Sequence, residues 1–365
     1  MSVAGNAPEY VRAIMPYVPG KPVSELAREM GFAEASIVKL ASNENPLGMS
    51  ARAREAITGV LSEIARYPDG NAFALKAAIC TRFGVRAEQL VIGNGSNDIL
   101  ELAARAFLAP GRAAVFSQHA FAVYPLATNA VGAKCIEVPA RDFGHDLDAM
   151  AAAITPETRI VFIANPNNPT GSFLPGEQIE AFVAQVPRDV LVVLDEAYTE
   201  YLAPDQSYDA TAWLARFPNL LVSRTFSKAY GLAGLRVGYA IAHPEVADLM
   251  NRVRQPFNVS SVALAAAEAA LGDEEFLAQS AEINRRGMVQ ITGALTEFGL
   301  EWIPSSGNFV AFRAGDAAAV HRALLKRGVI VRPIASYGMP EWLRVSIGLP
   351  EQNTRFIEAL RQILA

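Results

Sequence analysis

Val190-Leu191-Val192-Val193-Leu194, running directly into Asp195-Glu196-Ala197-Tyr198, carries the most information about the fold. Five apolar residues without a polar member are of strand length, and such a strand is buried on both faces. Asp195 directly after them is costly to bury unpaired, so it either caps a helix or meets a cation. Outward from this unit, similar short apolar runs recur at Ile160–Ala164, Leu220–Val222 and Val237–Ile241, and earlier at Leu90–Ile92, Ala113–Phe116 and Cys135–Val138. Between Leu90–Ile92 and Ala113–Phe116, the positions Ile99, Leu102, Ala103, Ala106 and Phe107 form the stripe of an amphipathic helix. Buried strands alternating with helices predict an α/β protein with a mostly parallel, seven-stranded sheet covered by helices.

From about Val262 the pattern changes. An Ala-rich helical stretch leads through Arg285–Phe298 to strand-like Asn308–Phe312, a helix near Ala317–Arg327, and strands near Val329–Arg332 and Leu343–Ile347. The expected organisation is an arm over 1–42, a large domain over 43–261 and a smaller α+β domain over 262–365. The arm is rich in turn signals at Pro16, Pro19-Gly20 and Pro22.

Composition narrows the function classes. The 365 residues include 32 basic and 37 acidic side chains, a net charge of −5, with no electrostatic footprint for nucleic acid or an acidic membrane surface. Two cysteines neither build a disulfide scaffold nor close a zinc site, and the four scattered histidines lack ligand spacing, so no metal is expected. No apolar run approaches the roughly 20 residues of a membrane span, and the first thirty residues hold no apolar signal core. A soluble cytoplasmic protein is the expectation.

Ligands of open parallel sheets bind beyond the carboxyl ends of the strands. There lie Gly93-Asn94-Gly95-Ser96-Asn97-Asp98, either a tight turn or a phosphate cradle at a helix N-terminus. Asn165-Pro166-Asn167-Asn168-Pro169-Thr170-Gly171 is either a rigid turn or a set of amides facing a ligand. Ser223-Arg224-Thr225-Phe226-Ser227-Lys228, followed by Arg236, places an amine beside a guanidinium, either as solvated surface or as a nucleophile near a phosphate. Together, four loops offer an anion cradle, an amide, a carboxylate and a Lys–Arg pair. These groups complement a phosphorylated aromatic cation.

The segments 165–171, Asp195–Tyr198 and Ser227–Arg236 in combination resemble the fold-type I pyridoxal-phosphate enzymes of the aspartate aminotransferase superfamily. Pro16–Pro22, Leu40–Pro46 and Arg66–Gly70 are most similar to the histidinol-phosphate aminotransferase family within it. The resemblance implies pyridoxal 5'-phosphate as cofactor, with Lys228 bound to its aldehyde and acting as the proton shuttle. That role needs a lysine able to lose its proton near neutrality, against a free value of about 10.4; burial and Arg236 push that way. It further implies that Asp195 keeps the ring nitrogen protonated, Tyr198 and Asn165 hold the phenolic oxygen, and Phe121 stacks on the ring. Gly95, Ser96, Asn97, Ser227 and Arg236 are the implied phosphate set. Tyr67 is implied to cross into a neighbouring subunit's site, making a homodimer.

On the substrate side, the resemblance implies Arg344 as the grip on a carboxylate, Arg332 and Tyr17 as phosphate contacts, and Asn43 and Asn165 beside them. The implied reaction is transamination between histidinol phosphate and glutamate or 2-oxoglutarate, in histidine biosynthesis. An aromatic amino-acid aminotransferase and a lyase such as a threonine-phosphate decarboxylase share much of this pattern. A DNA-binding regulator does not, since no basic helix-turn-helix pattern precedes the large domain. With Lys228 as base, His119 is expected to be structural.

Overall fold

The computed structural model describes residues 2–365. Its strands in chain order are β1 (Val38–Lys39), β2 (Leu90–Gly93), β3 (Ala113–Ser117), β4 (Lys134–Val138), β5 (Thr158–Ala164), β6 (Leu191–Asp195), β7 (Leu220–Thr225), β8 (Gly238–Ala242), β9 (Phe309–Arg313), β10 (Val329–Ile330), β11 (Arg332–Pro333) and β12 (Trp342–Ser346). Seven of them form the main sheet in the order β2-β8-β7-β6-β5-β3-β4. β3 to β7 run parallel, while β8 is antiparallel to both of its neighbours. β7 extends past its apolar run through Ser223, Arg224 and Thr225, because its ladder with β8 continues to Thr225↔Gly238.

Alternation along the strands sorts side chains onto two buried faces. Val161, Ile163, Val192, Leu194 and Val222 pack into one apolar cluster with Ile179, Phe182 and Val183. Ile160, Phe162, Ala164, Leu191, Val193 and Leu221 pack into another with Ile99, Leu102 and Ala103 of the helix Ser96–Phe107. The apolar stripe of that helix therefore faces the sheet, as its spacing predicts.

The helix Ser261–Leu271, capped by Ser260 Oγ accepting from Ala263 N, buries Ala263, Ala266, Ala267 and Ala270 against the helix Ala51–Val60. These alanines belong to the first cluster of the large sheet. Packing therefore changes partner after Leu271 and not at residue 262. These small residues allow two helices to approach closely. Beyond them, β11-β12-β9 form an antiparallel sheet. Ile291, Leu295, Phe312, Leu324, Val345 and Phe356 close a separate core upon it.

The arm is attached to this second unit. β1 pairs in parallel with β10, and Leu26 and Ala41 pack with Leu325 and Ile330. Its turn-rich sequence still contains a helix, Val23–Met30, which starts after Pro22 and stops at left-handed Gly31 (φ 71°). Among the described residues, no helix is long and apolar enough to cross a membrane.

The close helix contact makes a stability prediction. Ala267, fully buried, leaves no room for three more heavy atoms. Ala267→Leu should lower unfolding free energy by about 2 kcal/mol through overpacking. Urea denaturation should show a lower midpoint with an unchanged slope.

Candidate active site

The chain leaves β3 outward toward β4, and leaves β5 in the opposite direction through β6 and β7. The loops after β3 and β5 therefore diverge, and a crevice opens between them. The cleft there, about 210 Å³, is lined by Lys228, Arg236, Arg332 and Arg344 against a single carboxylate, Asp195. Four cations around one anion define a site for anionic ligands.

Asp195 ends β6 with its side chain on the face of Tyr124, whose hydroxyl donates to Asp195 Oδ2 at 3.0 Å. Asp195 Oδ1 is buried with no hydrogen-bond partner. Burial is the main cause that raises its pKa to about 6; the hydrogen bond from Tyr124 opposes this, and Glu196 adds to the rise. Lys228 donates to Ser42 O at 3.2 Å. Its pKa is lowered to about 8, first by burial and then by the positive charge of Arg344, with Arg236 adding to the effect.

The turn after β2 is built for close approach. Gly95 has φ 80°, and a Cβ there would lie 2.5 Å from Arg236 Nη2. Gly238 likewise lets β8 pass the N-terminal Ser96 amide, since a Cβ would come within 2.6 Å of it. Ser96 and Asn97 open the helix and line the cleft, and Arg236 Nη1 donates to Ser227 Oγ at 3.3 Å. Asp98 does not line it: its Oδ2 accepts from Asn94 N and Asn258 Nδ2, which fixes the turn.

Opposite this cradle stand two arginines that are direct cross-strand partners, Arg332 on β11 and Arg344 on β12. Arg332 donates to Val18 O at 2.7 Å and lies 5.3 Å from the ring centroid of Tyr17. Arg344 donates to Asn168 Oδ1 at 2.5 Å and to Ala41 O at 2.9 Å, while its Nε is buried without a partner. Like charges directly opposite each other destabilise a sheet, so this pair is suited to an anion between them. Asn43 (φ 56°) donates to the Tyr198 hydroxyl at 2.9 Å and is held by Ser346 and Asn308. Burial raises the Tyr198 phenol to about 12. Phe121 lines the opposite wall, edge-on to Tyr124.

Two expected residues stand elsewhere. Asn165 does not reach the cleft: its Nδ2 donates to Leu174 O and the Tyr208 hydroxyl, and its Oδ1 accepts from Leu174 N. The reason is alternation. Ala164, Pro166 and Asn168 line the cleft, so Asn165 points to the other side. Asn168 is the amide that reaches Tyr198, donating to its hydroxyl at 3.2 Å. Tyr67 is 83% exposed, stacked on Phe257 at 4.8 Å, and does not line this chain's own cleft. Tyr124, Ser346, Asn308 and Phe309, the last beneath Arg344 at 5.1 Å, were missed as site residues. Of these, only Tyr124 had a signal in sequence, three positions after Phe121 on the same helical entry.

Family comparison fits this geometry. The chain belongs to the class I and II aminotransferases, whose family model matches residues 35–360. Within that family its similar relatives are histidinol-phosphate aminotransferases. Histidinol-phosphate aminotransferase 2 of Ralstonia nicotianae is 64% identical, over 98% of this chain and 97% of its own length. Histidinol-phosphate aminotransferase 1 of Dechloromonas aromatica is 64% identical, over all of both chains. The structure of histidinol-phosphate aminotransferase from Sinorhizobium meliloti, in complex with pyridoxal-5'-phosphate, superposes with a TM-score of 0.90 at 29% identity, covering 98% of this chain and 97% of that one.

Asp195 sets a testable cost. Its folded-state pKa is raised, so it stabilises the fold fully below about pH 4 and loses that contribution as pH rises through about 6. In cofactor-free protein, Asp195→Asn should therefore be more stable than wild type at pH 7.5 by on the order of 3 kcal/mol. The gap should close near pH 4. Urea titrations at the two pH values measure it.

Proposed function

We propose that this chain transfers an amino group from L-histidinol phosphate to 2-oxoglutarate, yielding imidazole acetol phosphate and L-glutamate, with pyridoxal 5'-phosphate as cofactor, in histidine biosynthesis. The observation that carries the substrate is the facing pair Arg332 and Arg344. Two guanidiniums suit a phosphate in one half-reaction and a carboxylate in the other, since both oxyanions accept forked hydrogen bonds.

The residues fit the cofactor. Asp195 Oδ1, buried and unpartnered, suits a protonated ring nitrogen, and the absence of a side chain at Gly95, where a Cβ would lie 2.5 Å from Arg236 Nη2, leaves that guanidinium open toward the helix N-terminus. Ser96, Asn97, Ser227 and Arg236 would hold its phosphate, Phe121 would stack on its ring, and Tyr198 with Asn168 would hold its phenolic oxygen. When bound, pyridoxal phosphate supplies an aldehyde carbon for amines and a ring that takes up electron density from the substrate Cα.

The protein supplies the rest. Lys228, with its pKa brought down to about 8, is neutral in about a tenth of molecules at pH 7, and its Nζ would move a proton from substrate Cα to the cofactor's aldehyde carbon. Asp195 would keep the proton on the cofactor's ring nitrogen, whose positive charge would offset the burial of the carboxylate. Tyr124 orients Asp195 through Oδ2 and leaves Oδ1 free. Arg344, fixed by Asn168 and Ala41 O, places the carboxylate or phosphate end of the substrate, while Arg332 and Tyr17 select phosphate.

The working unit under this proposal is a cytoplasmic homodimer. Leu61, Ile64, Tyr67, Phe73 and Phe257 are exposed large apolar side chains suited to burial against a second copy, and Tyr67, stacked on Phe257, would complete the copy's phosphate site.

Three measurements test this. Lys228→Ala should lose turnover by more than a thousandfold and show no borohydride-trapped cofactor; retained turnover overturns the lysine's role. Arg332→Ala should lower kcat/KM for histidinol phosphate by about a hundredfold and that for glutamate by less than tenfold. A wild-type enzyme whose yellow form is bleached faster by phenylalanine than by histidinol phosphate would move the activity to aromatic amino acids.

A further inference from the structure

Asp195 faces the cleft, with Ala164 its register partner on β5 and Ser223 on β7. One position further along each chain, Asn165, Glu196 and Arg224 emerge on the opposite face, in phase with Ile163, Leu194 and Val222. All three are buried, Asn165 and Glu196 completely. Polar groups at such positions need partners, and here they find them in one another and in Tyr208.

Arg224 clamps Glu196 Oε2 from Nε at 2.9 Å and Nη2 at 2.8 Å, with its guanidinium 4.8 Å from the Phe83 centroid. Asn165 Nδ2 donates to the Tyr208 hydroxyl at 3.1 Å. Having accepted that bond, Tyr208 still has its own proton to give. It faces Glu196, whose Oε1 is buried without a hydrogen-bond partner. The ring of Tyr208 is fixed by stacking on Trp213 at 5.5 Å and 10°. Gly176 makes that seat possible, because a Cβ there would lie 2.7 Å from the Tyr208 Cβ.

This rear network is tied to the cleft through the loop that follows β5. Asn165 pins both the start of that loop and Leu174 near its end, by Nδ2 to Leu174 O at 3.0 Å and Oδ1 from Leu174 N at 2.8 Å. Between them lies Asn168, aimed at Tyr198 and Arg344. We propose that Tyr208 is a positioning residue for the aminotransferase reaction: from behind the sheet, through Asn165, it fixes the loop that aims Asn168 at Tyr198 and Arg344. Tyr208 touches neither substrate nor cofactor. The inference rests on the aminotransferase function assigned to the cleft.

A double-mutant cycle on the cofactor-loaded enzyme tests it. Tyr208→Phe keeps the stacked ring and removes only the hydroxyl. It should lower kcat/KM for the amino donor about tenfold, since small misplacements of a positioning group are amplified in rate. It should also shift the pH midpoint of the bound cofactor's visible absorbance band. In an Asn168→Ala background the same change should cost less than twofold and leave the midpoint unmoved. Asn165→Ala, which breaks the network from its other end, should show the same dependence on Asn168. Equal losses in both backgrounds, or a lower melting temperature with rate and midpoint unchanged, would overturn the role of Tyr208. Wild-type enzyme that neither holds cofactor nor transaminates would overturn the assigned function as well; a normal wild type with an additive cycle overturns this inference alone.

Discussion

Burial sets the charges of the cleft against their own solvation, and the site is organised around that conflict. Asp195 is held where ionisation is disfavoured, and Lys228 where protonation is disfavoured, both chiefly because water is excluded. Each shift moves a group toward neutrality, to where a small proton-transfer step is easy. Arg236, Arg332 and Arg344 add positive charge that, among the described residues, no carboxylate salt-bridges. The folded chain is thus assembled around charges that only anionic and cationic ligands complete, the usual trade between stability and function.

The sheet turns this local problem into geometry. Because side chains alternate, each strand end gives one residue to the ligand and the next to the protein's interior. Asp195 serves the front and Glu196 the back; Asn168 belongs to the front and Asn165 to the back. A carboxylate pair in successive positions would repel in one compartment. Here the sheet separates them, and Arg224 neutralises the rear one.

Much of this was written in short-range pattern. Runs such as Val190–Leu194 gave away the parallel strands because a strand buried on both faces must be apolar throughout. Lys228, Asp195 and Arg236 stood out because charged residues at the ends of such runs need a reason. Local pattern failed where distant contacts decide. Asn165 and Asn168 are chemically alike, and only the phase inherited from β5 separates their duties. The alanines of Ser261–Leu271 look the same whether they face one domain or the other. The antiparallel turn of β8 depends on its ladder with β7 and β2, which no run of apolar residues encodes. Tyr124 is an ordinary buried aromatic until Asp195 is placed against its hydroxyl.

Asn43 carries a consequence for how the molecule is made. It is fixed by Ser346, 303 positions later in the chain, and by Asn308, while β1 waits for β10 to give it a pairing partner. During synthesis the strands that build the cofactor-facing sheet emerge together and in order, but the arm made before them has no template until nearly the whole chain has left the ribosome. Closing such long loops comes late. The half of the site that grips the ring can therefore form well ahead of the half that recognises the substrate, and chemistry is withheld from every nascent chain until its last strand has docked.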